Sequence, residues 1–361
     1  MAFFHYDNIH IVGVASAVPT QRVIVDSFAD NFGKETVEKF SKMTGIKEFR
    51  RTFEHQTASD LGYAAADKLL SEKNINRDEI GALIFIAHSV DYRRPATACV
   101  LHKRLGLSKD CASFDIGLGC SATVYGLQVV GSMMANSDIT KALLITGESL
   151  TKMVNPGDKS VAMLFGDGGS AILLEKQHGF PMDILLRTDG NGYNAIIAPA
   201  GGYQNMDVPR RDEVWPDGNI RNLYNTYMNG TDVFSFTITE VPTAISDFVE
   251  RTGIGIEEYD CFAFHQANQF ISKQLAKKFK IPMETMPLCL DRYGNTSAPA
   301  VTMALCDRYG EESGGEIKTL FCCFGVGLSW GVASARISVD DIHPIIETDE
   351  IFEEGIINEP F

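Results

Sequence analysis

At 361 residues and 45% hydrophobic, the chain can bury a large core, as one big domain or two fused ones. A net charge of −15 argues against nucleic acid and against an anionic membrane surface, both of which call for a basic face. No run reaches the roughly 18 consecutive apolar residues of a membrane span, and residues 1–14 lack the basic flank and apolar core of a signal peptide, so the expected address is cytoplasmic.

In chain order, aliphatic and β-branched runs predict strands at 8–18, 81–87, 111–117, 141–148 and 161–175, with helices at 58–72, 96–106 and 120–135 between them. The second half repeats the theme: a long helix at 231–252, a strand at 259–265, a helix at 267–280, a Ser297-capped helix to about 308, and strands at 317–324 and 329–337. Such alternation predicts an α/β protein with largely parallel sheets. Residues 200–230, rich in Gly, Asn, Arg and Trp, read as an inserted lid or loop. Residues 340–361 hold eight acidic residues and no Lys or Arg, the composition of a solvated tail or surface strap. The eight cysteines form no CxxC pair, and several lie inside apolar runs, which suits reduced core thiols.

One cysteine is placed differently. In FDIGLGCSATVYGL (114–127), Cys120 follows Gly117-Leu118-Gly119 at a strand-to-helix joint. The helix after it is apolar on nearly every side, so it is expected in the centre of the molecule with its N-terminus aimed at the sulfur, favouring the thiolate. A packed core cysteine is the alternative. His265 ends a predicted strand in CFAFHQANQFI and would face a cleft, or be a satisfied core or surface histidine. Asn295 lies at a loop tip in DRYGNTSAPAVTMAL, as a side chain presented to a site or as a turn former.

Together, Cys120, HQAN (265–268) and GNTSAPA (294–300) resemble the β-ketoacyl-acyl-carrier-protein synthase III family of the thiolase-like superfamily. The likeness runs in order along most of the chain through TGIKEFRR (44–51), RRPATACVLHKRLG (93–106), LLITGES (143–149), LFGDGGSAILLE (164–175), PAGG (199–202), MNGTDVFSF (228–236) and FGVGLSWG (324–331). It implies a five-layered αβαβα fold of two similar halves, with an N-terminal half at 1–178 carrying Cys120, a C-terminal half at 179–339 carrying His265 and Asn295, and the acidic tail at 340–361. It also implies a homodimer and a catalytic set of Cys120, His265 and Asn295.

The chemistry of that set is decarboxylative Claisen condensation. Cys120 would accept an acyl group from a coenzyme A or carrier-protein thioester, and a malonyl-type thioester would then lose carbon dioxide to make the attacking carbanion. His265 and Asn295 would donate hydrogen bonds to the enolate oxygen. The backbone N–H groups of Cys120 and, by likeness to the family's glycine-rich turn, Gly327 would form the oxyanion hole. No permanently bound cofactor and no metal are implied.

Departures from the family pattern bear on substrate. Lys39 and Met43 stand where coenzyme A-using members carry a tryptophan and an arginine, and Phe270 replaces the arginine of HQANxRI. Lys159 and Asn268 fall at the pantetheine entrance, and Lys277 and Lys278 match a lysine pair that docks the acidic carrier protein. Carrier-borne donors are therefore favoured, with a plain solvated helix face as the alternative. Arg94 stands where a phenylalanine commonly enters the dimer mate's acyl pocket; it would favour a polar or carboxylate-bearing acyl group, or turn away to an acidic neighbour. Cys323 in CCFGVG resembles the CxG cysteine of true thiolases, but adjacent Cys322 and Cys323 must point to opposite faces of a strand. Two other functions are weighed: acyl transfer from Cys120 to an alcohol or amine with His265 as base, and a non-catalytic partner subunit, against which the filled catalytic positions count.

Overall fold

The apolar runs become the strands of two large sheets in a computed structural model that describes residues 2–358. The layer-building elements of the first half are β1 (Ala2–Tyr6), β2 (Ile9–Pro19), α1 (Ala58–Glu72), β3 (Ile80–Ile86), α2 (Thr97–Leu105), β4 (Ala112–Ile116), α3 (Ala122–Ala135), β5 (Lys141–Glu148) and β6 (Gly168–Lys176). The second half supplies β7 (Met182–Thr188), α4 (Gly230–Thr252), β8 (Cys261–Phe264), α5 (Gln269–Phe279), α6 (Ala300–Tyr309), β9 (Glu316–Gly325) and β10 (Ser329–Ser338), followed by β11 (Ile346–Thr348).

The first sheet has the order β11-β2-β6-β5-β3-β4 and the second β1-β7-β10-β9-β8. Between them lie α3 and α6, whose Val124, Leu127, Val301 and Leu305 share one core cluster with Ile84 and Leu144 of one sheet and Ile184 and Phe321 of the other. Helix α3 has no polar stripe because it has sheets on both sides. The outer face of the first sheet is covered by α1 and α2, through Leu69 and Leu101 against Leu83 and Phe85. That of the second is covered by α4 and α5, through Ile245 and Leu275 against Leu320 and Val332. The result is the expected αβαβα layering.

The sheets are not largely parallel. Strands β3, β4 and β5, joined by helical crossovers, are parallel, as are β8 with β9 and β11 with β2. Every other pairing in the two sheets is antiparallel: β2–β6, β6–β5, β1–β7, β7–β10 and β10–β9. Parallel neighbours require a crossover long enough to return the chain, and strands joined without one, β5 to β6 and β9 to β10, fold back. Strand β1 crosses from the first half to edge the second sheet.

The strand predicted over 161–175 begins only at Gly168, because 159–164 turn. A β-carbon at Gly166 would lie 2.0 Å from the Tyr293 carbonyl oxygen, so the chain here presses against the segment bearing Asn295. Helix α6 begins at Ala300 with Pro299 at its N-cap and no side-chain cap bond, so Ser297 is not its cap.

The acidic C-terminal segment is a strap. Strand β11 runs parallel to β2, and Glu347 meets the buried Arg50 at 2.6 Å. Arg104 donates to Asp60 at 2.8 Å and Glu350 at 3.1 Å, and Tyr92 donates to the Gly355 carbonyl at 2.7 Å. Residues 359–361 of the predicted tail lie outside the described residues.

The inserted segment is organised around one cation. Arg221 is fully buried, donating from Nε to Asp158 at 2.6 Å and from Nη2 to Asp217 at 2.8 Å, with its guanidinium over Trp215 and Tyr227. Burial works against the charge of Asp217, but hydrogen bonds from Arg221 and Asn219 hold its carboxyl down at about 2. The charged form is thus the folded form, and this contribution is present above the ordinary aspartate range and lost as pH falls through about 2. Arg221→Ala strands the buried Asp158 carboxylate and is expected to cost about 3–5 kcal/mol, read as a lower midpoint in urea denaturation. An unchanged midpoint would show that the pair does not hold the segment.

Candidate active site

The three proposed catalytic side chains reach one place from three elements. Cys120 sits between β4 and α3, in a turn closed by the Ala122 N–H donating to the Gly119 carbonyl at 2.8 Å. His265 follows β8, and its N–H extends the parallel pairing by donating to the Cys322 carbonyl at 2.8 Å. Asn295 is held by reciprocal backbone bonds: its N–H donates to Leu164 O at 2.9 Å, and the Gly166 N–H donates to Asn295 O at 3.2 Å. All three line a single cavity of about 470 Å³. Most of the remaining wall is apolar, including Leu150, Met153, Phe165, Ile196, Met228 and Val233.

Local bonds orient these groups. Asn295 Oδ1 accepts the Ser297 N–H at 3.0 Å, which leaves the amide Nδ2 as the free donor. Ser297 itself adopts φ 60°, in the left-handed region, and its Oγ lies 3.3 Å from Cys120 Sγ. His265 Nδ1 is enclosed without a hydrogen-bond partner, so Nε2 is the nitrogen left to face the cavity. A proton on Nε2 leaves only a lone pair at the enclosed Nδ1, the cheaper group to leave unpaired. The ring stands edge-on to Phe324, centroids 5.3 Å apart.

Dehydration dominates the electrostatics. Burial pushes the Cys120 thiol up to about 11, against hydrogen bonds from Ser297 and from the backbone N–H groups of Val326 and Cys120. The expectation of a favoured thiolate counted the helix N-terminus but not the loss of water around a sulfur deep between two sheets. Burial likewise pushes His265 down to about 3, so its imidazole is neutral at physiological pH.

The backbone group facing the sulfur lies one residue before the glycine expected to supply the oxyanion donor. The backbone N–H of Val326, not that of Gly327, faces the Cys120 sulfur, and Val326 lines the cavity whereas Gly327 does not. The turn passes this close because Gly325 has no side chain: a β-carbon there would sit 2.6 Å from that of Cys120.

Other predicted residues separate into near and far. Asn268 lines the cavity and caps α5, accepting the Ile271 N–H at 2.8 Å. Lys159 is exposed and outside the lining, and so are Lys277 and Lys278, which border a shallow groove with Phe234, Ile238 and Phe270. Arg94 is exposed and does not line this chain's own cavity. Lys39 pairs with Glu35 at 2.8 Å, and Met43 is exposed, so neither builds a stacking platform. Cys323 packs in the central core and Cys322 in the outer one, on opposite faces of β9, and neither lines the cavity. Among the lining residues that escaped the sequence reading are Ser297, taken for a helix cap, and His88, which follows β3 as His265 follows β8 and carried the same strand-end signal. Among the described residues, no cluster of three or more His, Cys, Asp or Glu is placed to hold a metal ion, and no helix is long and apolar enough to cross a membrane.

Five layers with a cysteine at the head of the central helix are the architecture of thiolase-fold condensing enzymes. Comparison with known proteins narrows this class. Residues 114–190 match the family described as 3-oxoacyl-[acyl-carrier-protein (ACP)] synthase III, and residues 249–337 match its C-terminal part. The chain is 32% identical to the β-ketoacyl-[acyl-carrier-protein] synthase III of Caldanaerobacter subterraneus, over 89% of this chain and 95% of that protein. It is 32% identical to the enzyme of the same name from Desulfitobacterium hafniense, over 92% and 98%. A crystal structure of a 3-oxoacyl-(acyl-carrier protein) synthase from Burkholderia xenovorans superposes with a TM-score of 0.89 at 33% identity, covering 96% of this chain and 99% of that one. The chain belongs to the 3-oxoacyl-[acyl-carrier-protein] synthase III family of condensing enzymes.

Proposed function

We propose that this enzyme loads an acyl group onto Cys120 and condenses it with a malonyl-type thioester. The observation that carries the reading is the convergence of Cys120, His265 and Asn295 on one mainly apolar cavity. The Cys120 thiol gives up its proton and attacks the donor's thioester carbon, and the donor's sulfur leaves as a thiolate that takes up a proton as the acyl-enzyme forms. The malonyl-type thioester then enters and its bond to the carboxylate breaks. Carbon dioxide departs, and the electron pair passes to an enolate whose oxygen is held by His265 Nε2–H and Asn295 Nδ2–H. The carbanion attacks the acyl-cysteine, Cys120 leaves as thiolate, and a 3-oxoacyl thioester is released. The backbone N–H groups of Cys120 and Val326 suit the tetrahedral oxyanion of both acyl transfers. A neutral imidazole fits the donor role, since it can stabilise the enolate without having to titrate.

The donors are acyl thioesters on acyl carrier protein or coenzyme A, delivered along a path past Asn268, with carrier-borne ones favoured by Lys277 and Lys278 on the exposed face of α5. Two copies assemble in this reading: β4 is an edge strand of the first sheet, and it exposes Phe114. The pairing of Lys277→Glu with Lys278→Glu is expected to raise KM for a carrier-borne donor about tenfold, with acylation by the same acyl group on free pantetheine unchanged. Equal effects on both donors would remove these lysines from docking. The whole reading is tested with acyl and malonyl thioesters, by intact-protein mass and carbon dioxide release. An acyl adduct with no decarboxylation, and product formed on an added alcohol or amine, would replace condensation with simple acyl transfer.

A further inference from the structure

One imidazole of the cavity has no role in the condensation. His88 follows β3 and lines the same cavity as Cys120. Its backbone N–H donates to Glu148 Oε1 at 3.1 Å, and Glu148 also takes the Ser89 N–H at 3.2 Å and the Ser89 hydroxyl at 2.7 Å, so the turn bearing the ring is anchored by a buried carboxyl. The ring itself has no hydrogen bond among the described residues.

The imidazole lies against the residue that precedes the nucleophile. A β-carbon built at Gly119 would be 2.9 Å from His88 Cδ2, 3.1 Å from His88 Nε2 and 3.2 Å from Ser297 Oγ. Room for this ring exists because residue 119 has no side chain. Both atoms lie against that one point, so Nε2 is no more than about 6 Å from Ser297 Oγ, which is itself 3.3 Å from Cys120 Sγ. An acyl group on that sulfur would therefore have the imidazole near its first few carbons, in a wall that is otherwise mostly apolar.

Resting on the acyl-enzyme reading above, we infer that His88 is a specificity-determining residue that selects acyl groups carrying an uncharged hydroxyl or keto oxygen on the second or third carbon from the thioester. The His88 side chain is exposed along the cavity wall, and dehydration by the surrounding protein pushes its pKa down, so the ring offers one N–H donor and one lone pair at neutral pH, complementary to a hydroxyl and giving no full charge to a carboxylate. An unsubstituted alkyl chain would leave both ring nitrogens dehydrated and unpaired, which is how a site that hydrogen-bonds its substrate rejects the analogue lacking the group.

The test compares kcat/KM for Cys120 acylation by 3-hydroxybutyryl-pantetheine and butyryl-pantetheine, followed by intact-protein mass. The wild-type enzyme is expected to favour the hydroxylated donor at least tenfold. His88→Leu is expected to abolish that preference, with acylation by the butyryl donor rising several-fold as the unpaired ring nitrogens are removed, and His88→Gln, which keeps a donor and an acceptor, to retain part of it. Equal rates of the two donors on the wild-type protein overturn the inference whatever the variants do. It is also overturned if His88→Leu keeps the preference, or changes only carbon dioxide release from the malonyl thioester. Absence of any Cys120 adduct from these or other acyl thioesters is a different failure, because it overturns the acyl-enzyme reading itself.

Discussion

Cys120→Ala is expected to eliminate the acyl adduct in intact-protein mass spectra and to reduce condensation by about four to six orders of magnitude, the scale of losing a covalent nucleophile. The fold should survive, because alanine fills most of the same space at the start of α3 and the donors facing the sulfur are backbone groups and one hydroxyl. An adduct of the same mass on the variant would remove Cys120 from its role. The wild-type thiol adds a pH signature. With burial holding it up to about 11, the thiolate is the minor form at neutral pH, and alkylation of the ligand-free enzyme should rise about tenfold per pH unit from pH 6 to 9. A rate that levels off below pH 8 would mean that the helix N-terminus and the surrounding N–H groups outweigh dehydration.

The second large effect separates the two half-reactions. His265→Ala or Asn295→Ala should leave Cys120 acylation within a few-fold of wild type and lower malonyl decarboxylation about 10²–10³-fold each, the range for removing one preorganised oxyanion donor. Carbon dioxide release from a malonyl thioester, measured apart from acyl loading, makes the distinction. Retained release in both variants would refute the donor roles. Since burial holds His265 down to about 3, far below its ordinary range, wild-type decarboxylation should show no titration of this imidazole between pH 5 and 8. A break near pH 6.5 would place a protonatable imidazole at the reacting oxygen.

Much of the fold was legible in the amino-acid pattern. The apolar run of β2 and the all-round apolar surface of α3 each state how many sides an element will bury, and both lie where that predicts. The amphipathic stripe of α5 reads correctly too, with Ile271 and Leu275 inward and the lysines outward. What did not transfer is strand direction. Residues such as Leu173 and Val332 are equally apolar in parallel and antiparallel sheets, and only the path between strands sets the choice.

The sequence by itself determined the kinds of group available and the family to which the chain belongs: a cysteine at a glycine-rich joint, a histidine at a strand end, an asparagine at a loop tip. Tertiary structure alone decided which atoms meet. It turned the Val326 N–H rather than that of Gly327 toward the sulfur, turned Ser297 from a helix cap into the neighbour of the sulfur, brought His88 beside Gly119, and left Arg94 and Lys159 outside the lining of this chain's cavity. Residue type encodes what chemistry a side chain can perform. Its protonation, partners and reach depend on how much water the packed sheets exclude and on contacts between residues far apart in the chain.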